Sequence, residues 1–350
     1  MPAGVLAFVI ALFASLLLTV PVRAFALRVG MVDLPGPRKV HLQPIPLLGG
    51  LAMYGGVMLA ILFAFDGAAR AQSAGIVTGA TLVAAVGFLD DRGWLHHQVK
   101  LFLAMPIAAG VLLASGVRAQ VFELYLHGQM GLVLDAALTV FWVVGITASF
   151  SILDHMDGLC AGIAAMASIF FAMLAYLNGQ TLVTTLAAAV LGGATGFLRW
   201  NFKPAKIFMG DGGAMFLGFL MATLGLKLRL DHASHLSGWL APLLILGVTI
   251  FDTTLVTISR SRRGLLPFTT PGKDHTAHRL ANLGWGQRGA VLALYTLGAL
   301  SGGAALLVAY LPPPGAASAA VIAASLVLLG VGILERTPYE QQACKSSARR

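Results

Sequence analysis

Eleven apolar runs, each set off from the next by a few polar or Gly/Pro-rich residues, punctuate this chain from end to end. They fall at about 4–27, 47–65, 73–89, 101–117, 131–152, 158–177, 181–198, 213–228, 236–258, 289–310 and 316–334. Most approach the roughly 20 residues an α-helix needs to cross a bilayer's hydrocarbon core. Backbone groups in hydrocarbon must find their partners within the segment, so the runs are expected to be helices. Breaks such as 66–71, 178–180 and 312–315 read as turns. The predicted fold is all-α, a polytopic membrane bundle of about 11 transmembrane helices. It forms one membrane-embedded domain over residues 1–335, with a short tail at 336–350.

Composition supports the bilayer as solvent. Apolar residues make up 58% of the 350 positions and charged residues 11%, with a mean hydropathy of +0.85. A soluble fold of this length lacks the interior volume to hide so much apolar surface. No Lys or Arg precedes Arg23, so the first run reads as a spanning helix and not as a cleavable signal peptide. Cys160 and Cys344 are too few for a disulfide framework.

The net charge of +9 is explained by where the charge lies. Along alternate loops, 19 of the 23 Lys and Arg residues fall on one side and 4 (Arg70, Arg118, Lys227 and Arg229) on the other. The rich side is expected to be cytoplasmic, with the N-terminus outside and the C-terminus inside. A nucleic-acid partner becomes unnecessary. The expected cytoplasmic loops are 28–46, 90–100, 153–158, 199–212 and 259–288.

Those loops also carry acids, for which positive-inside topology gives no reason. Asp90 and Asp91 end an apolar run, Asp154 and Asp157 interrupt another, and Asp211 and Asp252 lie close to others. Carboxylates at a membrane boundary are costly unless paired or bound to a cation. Each has a plain structural reading: Asp90–Asp91 as a solvated helix end beside Arg92, Asp211 as an N-cap. If helical, the 153–159 segment puts Asp154 and Asp157 on one face. The glycines around Asp211 allow close approach of a ligand, and a helix N-terminus favours phosphate. In the last loop, Arg260, Arg262 and Arg263 precede Lys273, His275, His278 and Arg279. Such residues often just mark the membrane surface, but together they make a dense set of phosphate donors. Zinc is the weaker reading, since no further Cys or His completes a ligand set. Acids for a divalent cation and cations for phosphate suggest phosphoryl transfer at the membrane boundary.

The motifs, in order, resemble the polyprenyl-phosphate N-acetylhexosamine-1-phosphate transferases. The likeness runs from about residue 33 to 280. It begins with Asp33-x-Pro35-x-x-Arg38-Lys39-x-His41-x-x-Pro44-x-Pro46-x-x-Gly49-Gly50 and continues through Asp90–Asp91 and Leu153-Asp154-His155-Met156-Asp157-Gly158-Leu159. Trp200-Asn201-Phe202 with Phe208-Met209-Gly210-Asp211, then Asp274-His275-Thr276-Ala277-His278-Arg279-Leu280, complete it. The resemblance implies attack by undecaprenyl phosphate on the diphosphate of a UDP-N-acetylhexosamine, releasing UMP and starting a lipid-linked envelope glycan. It implies Mg²⁺, with Mn²⁺ as the alternative, on Asp211 and Asp91. Asp90, Asp91 and Asp157 are the expected catalytic residues. Lys39, Asp154, Asn201, Lys206, Arg260, Arg263, His275, His278 and Arg279 are the expected substrate-binding set. The expected location is the bacterial inner membrane, with the active site facing the cytoplasm. A homodimer is an optional assembly. The sequence departs from the family at Ser151 (usually Asn), at His155 (Gly or Asn), at Ala214 (Ser in many members) and in the wider spacing of His275 and His278. The His155 variant resembles the O-antigen, lipopolysaccharide branch. A non-catalytic lipid-binding homologue and a secondary transporter are the alternative readings.

Overall fold

A computed structural model describes residues 2–34, 43–64, 70–95, 99–126, 128–230, 234–266 and 272–337. Each of the eleven apolar runs is helical over most of its described residues. The chain divides into two units, Met1–Arg229 and Leu230–Arg350.

The first unit opens with α1 (Pro2–Arg28) and a two-residue antiparallel pair, β1 (Val32–Asp33) and β2 (Ile45–Pro46). Helices α2 (Gly49–Ala64) and α3 (Arg70–Asp91) follow. A π-helical turn, Lys100–Ala104, leads into α4 (Met105–Ala114). Then come α5 (Gln129–Leu153), α6 (Leu159–Leu177), α7 (Thr181–Asn201) and α8 (Gly210–Lys227). The second unit holds α9 (His235–Ile245), α10 (Gly247–Arg262), the short α11 (Thr276–Leu280), α12 (Gly286–Val308) and α13 (Pro313–Leu334).

Seven helices among the described residues are long and apolar enough to cross a membrane, and one bent pair would make an eighth. The chain is therefore a polytopic helical membrane protein. Helix α8 is not among these seven. Its 18 residues carry a charge at each end, Asp211 and Lys227, yet almost every side chain from Gly212 to Leu226 is buried. It packs against α2, α3, α5, α6 and α7, and a helix so enclosed needs no polar face. The Trp142 indole donates to its Ala222 carbonyl at 3.0 Å.

Small residues bring the helices together. A side chain at Gly192 or Gly196 of α7 would collide with the α1 backbone at Phe8 or Leu12, the close crossing that glycines four apart permit. Gly192→Leu is expected to lower stability by about 1–3 kcal/mol through overpacking, read as a lower melting temperature in detergent.

One apolar run departs from expectation. The segment 236–258 is not one helix: α9 and α10 meet at a 73° bend. The Ser301 hydroxyl of α12 donates to the Leu244 carbonyl just before the bend. A side chain inserted into the helical ladder is a recognised cause of sharp kinks.

Not every buried acid belongs to a reaction site. Asp135 of α5 is fully buried. Its carboxylate accepts the N–H groups of Val121 and Phe122 at 2.9 Å and of Glu123 at 3.2 Å. Those bonds satisfy it locally.

Candidate active site

Helix α3 ends in two acids, at the pole where the helix dipole favours cations. The conflict is relieved by the start of α8. Asp91 accepts the Asp211 N–H at 2.7 Å on Oδ1 and the Gly212 N–H at 3.1 Å on Oδ2. It thereby caps α8 from another helix. Asp211, expected as the N-cap, lies instead within the first turn. The approach depends on glycine: Gly87 faces Gly212, Gly50 faces Gly213, and a Cβ at Gly210 would sit 2.5 Å from Asp91 Oδ2. Gly210 also has φ +75, which few side chains tolerate.

The Lys100 ammonium lies between the two other carboxylates, 2.6 Å from Asp90 Oδ2 and 2.5 Å from Asp211 Oδ2. The Ser151 hydroxyl donates to Asp211 Oδ1 at 2.7 Å. Ser151, a departure from the family pattern, thus contacts the central acid directly. Lys100 was seen in the sequence only as topological charge, because its partner Asp211 is 111 positions away.

The Asp154–Asp157 segment is not helical. Helix α5 ends at Leu153, Asp154 has φ −79 and ψ 54, and Gly158 is left-handed at φ 78. The two acids sit on a turn between helices, not on a shared helix face. Asp157 accepts the Ala205 N–H at 3.1 Å. Asn201 joins the same two loops: its Oδ1 accepts from Gly158 N–H and its Nδ2 donates to the Ile207 carbonyl, both at 3.0 Å. Both ends of this buried amide are engaged inside the protein.

Burial, with the negative charges of Asp211, Asp91 and Asp157, pushes the Asp154 carboxyl up to about 8. Asp90, Asp91 and Asp211 also outnumber the one ammonium, Lys100, that bridges two of them. An all-oxygen donor set with surplus negative charge suits a hard divalent cation, so the residues fit Mg²⁺. Beside Asp91 lies a cavity of about 510 Å³ lined by Met31, Val32, Leu47, Arg92 and Trp94 among others. Lys206 is exposed, with Nζ 5.6 Å from the Trp200 ring centre and its carbonyl accepting from Arg23 at 3.1 Å. Lys39 lies outside the described residues.

In the second unit the histidine motif is an ion network. Arg260 grips Asp274 with two bonds, Nε at 3.0 Å and Nη2 at 2.8 Å, and Arg263 adds a third at 2.5 Å. Burial alone would raise the Asp274 pKa. Arg260 and Arg263 outweigh it and hold the carboxyl at about 2. Arg279 is fully buried. It donates to the Asp274 carbonyl and Ser259 Oγ at 2.8 Å, to Glu335 at 2.7 Å and to the Leu334 carbonyl at 2.5 Å. Arg260 and Arg279, expected as substrate donors, therefore spend these bonds on the protein. His278 is partly exposed, and its ring meets that of His275 edge-on at 6.3 Å. Removing this buried cation takes from Glu335 its closest positive partner and from two backbone carbonyls and the Ser259 hydroxyl their donor. Arg279→Met is accordingly expected to lower stability by about 3 kcal/mol, measured as earlier thermal unfolding in detergent.

The family described as glycosyl transferase family 4 matches residues 73–229. A Bacillus subtilis (strain 168) protein named "Probable undecaprenyl-phosphate N-acetylglucosaminyl 1-phosphate transferase" is 36% identical over 84% of this chain and 82% of its own length. A Mycobacterium tuberculosis (strain ATCC 25618 / H37Rv) decaprenyl-phosphate N-acetylglucosaminephosphotransferase is 34% identical over 86% of this chain and 81% of that protein. An Escherichia coli (strain K12) undecaprenyl-phosphate alpha-N-acetylglucosaminyl 1-phosphate transferase is 27% identical over 79% and 76%.

Proposed function

Because the chain belongs to the polyprenyl-phosphate N-acetylglucosamine-1-phosphate transferases of glycosyl transferase family 4, we infer that it moves N-acetylglucosamine 1-phosphate onto a polyprenyl phosphate. The donor is UDP-N-acetylglucosamine, the acceptor undecaprenyl phosphate or a close relative, and the second product UMP. Supporting this most is the gathering of Asp90, Asp91 and Asp211 around Lys100 at adjoining helix ends. A transporter's coupling acids are expected midway along broken helices, whereas these stand at the ends of α3 and α8.

An oxygen of the lipid phosphate attacks the sugar-bearing phosphorus, and the bond from that phosphorus to the oxygen of UMP breaks. A phosphate monoester, with a second pKa of about 6, is largely dianionic at neutral pH and needs little help from a base. The difficulty is bringing two polyanions together. Asp211 and Asp91 would hold Mg²⁺, which when bound supplies charge neutralisation for the transferring phosphoryl group. Each Asp91 oxygen keeps an acceptor site beyond its bond to α8. Lys100 orients Asp90 and Asp211 and tempers their repulsion. Asp157 and Asn201 hold the 154–158 and 202–207 loops in register, which places Asp154 for the nucleotide sugar. His278, with Lys273 beside the motif, recognises the diphosphate. The positive-inside pattern supports a cytoplasmic site in a bacterial inner membrane and a bundle of about 11 spans.

We favour a single displacement over a phospho-aspartate at Asp90 or Asp91. Purified protein in nanodiscs is expected to form lipid-linked product from UDP-N-acetylglucosamine in preference to other UDP-sugars. It should release no UMP when the lipid is withheld. No lipid product from any UDP-sugar would overturn the transferase reading, and a lipid-independent burst of UMP would overturn the single displacement.

A further inference from the structure

Helix α10 carries one carboxylate to which the reaction, as drawn above, gives no task. Asp252 is almost completely buried. Its Oδ2 lies 2.9 Å from Nδ1 of His275, and its Oδ1 accepts the Thr276 N–H at 2.7 Å. A buried carboxylate is costly unless donors meet it, and both of these donors come from consecutive residues of the histidine motif. We propose that Asp252 is a positioning residue that orients His275 for recognition of the nucleotide sugar. This rests on the transferase reading, in which the histidine motif serves substrate recognition.

The neighbours of the ring agree on its state. A carboxylate only accepts, so the proton belongs on Nδ1. On the other side Arg260 Nη2 stands 3.4 Å from His275 Nε2. A guanidinium only donates, so that contact selects the lone pair at Nε2. One tautomer and one ring orientation satisfy both. Arg260 is itself fixed by its two bonds to Asp274. His278 lies edge-on to the ring so placed, and a shift of His275 would carry over to it. An acid that fixes the tautomer and angle of a functional histidine is a recurrent arrangement in enzyme sites.

Asp252 also meets the first residue of α11, so a simple capping role must be separated from an orienting one. Two substitutions do so. Asp252→Asn keeps the size but has a single acceptor, so either His275 Nδ1–H or Thr276 N–H loses its partner. Thr276→Pro removes the backbone N–H together with the buried threonine side chain, and leaves Asp252 and His275 in place. Proline is well tolerated at the first helical position, and His275, with φ −72 and ψ 156, already has the extended backbone that precedes proline.

The test measures transfer from UDP-N-acetylglucosamine in nanodiscs for the wild type, D252N, H275A, their double variant and T276P. D252N is expected to lose about 10- to 100-fold in kcat/KM, chiefly through KM for the nucleotide sugar, with KM for the lipid unchanged. The double variant should match H275A within about twofold, because Asp252 acts through that ring. T276P should stay close to wild type. D252N near wild type, a double variant that loses the product of both effects, or T276P as impaired as D252N would each overturn the proposal. If D252N does not fold, D252E takes its place in the same cycle, since it keeps both acceptors but displaces the ring; additivity with H275A again overturns the idea. An inactive wild type would instead refute the transferase reading itself.

Discussion

Asp211→Asn is expected to lower sugar-phosphate transfer by about 10³-fold or more while leaving the bundle folded. The substitution keeps the shape and removes the charge at the point where Lys100 and Ser151 converge. A neutral amide is a poor ligand for a hard divalent cation, so the loss should fall on turnover. Folding should survive because the first turn of α8 is held by the Asp91 carboxylate through the backbone N–H groups of residues 211 and 212, which asparagine retains. Initial rates of labelled lipid formation, set beside thermal unfolding of both proteins, check this directly. Undiminished product, or a loss explained wholly by unfolding, would contradict the role given to Asp211.

Lys100→Met should be the next most damaging change, at about 10²–10³-fold in turnover. Lys100 bridges Asp90 and Asp211. Without it two carboxylates face each other with no cation between them, and neither keeps its orientation. The same reasoning fixes the direction of a second effect. An ammonium among the acids opposes a divalent cation, so its removal should tighten the apparent Mg²⁺ affinity even as the maximal rate falls. A Mg²⁺ titration of activity should therefore half-saturate at lower concentration and reach a lower plateau. A plateau equal to the wild type would show that Lys100 has no part in the reaction.

The helices were legible because the bilayer leaves a spanning segment few alternatives, and each apolar run is helical over most of its described residues. What the pattern missed depends on partners distant in sequence. The bend between α9 and α10 lies just after Pro242 and at Gly247, and a hydroxyl on α12 meets the Leu244 carbonyl beside it, a partner that no periodicity within 236–258 reveals. Asp154 and Asp157 fit a helical spacing, but Gly158 in the left-handed region starts a new helix there. Among the expected site residues, the acids draw notice in the sequence through their cost at a membrane boundary, and Asp90, Asp91 and Asp211 do come together. Their division of labour could not be read there. Asp91 serves α8 as a cap, and Asn201 ties two loops through both ends of its amide. Arg260 and Arg279 bind acids and carbonyls of their own chain. In each case a residue type that recognises phosphate or sugar is equally good at satisfying buried protein groups. Only the folded arrangement distinguishes the two uses.

The central claim is that the group transferred is a sugar 1-phosphate, not a sugar alone. UDP-N-acetylglucosamine carrying ³²P in its sugar-linked phosphate tests it most directly, with undecaprenyl phosphate and Mg²⁺ supplied to the purified protein. The expected result is label in the organic-extractable lipid, with one UMP released for each label transferred. Label remaining in water-soluble UDP while the sugar alone enters the lipid would contradict it.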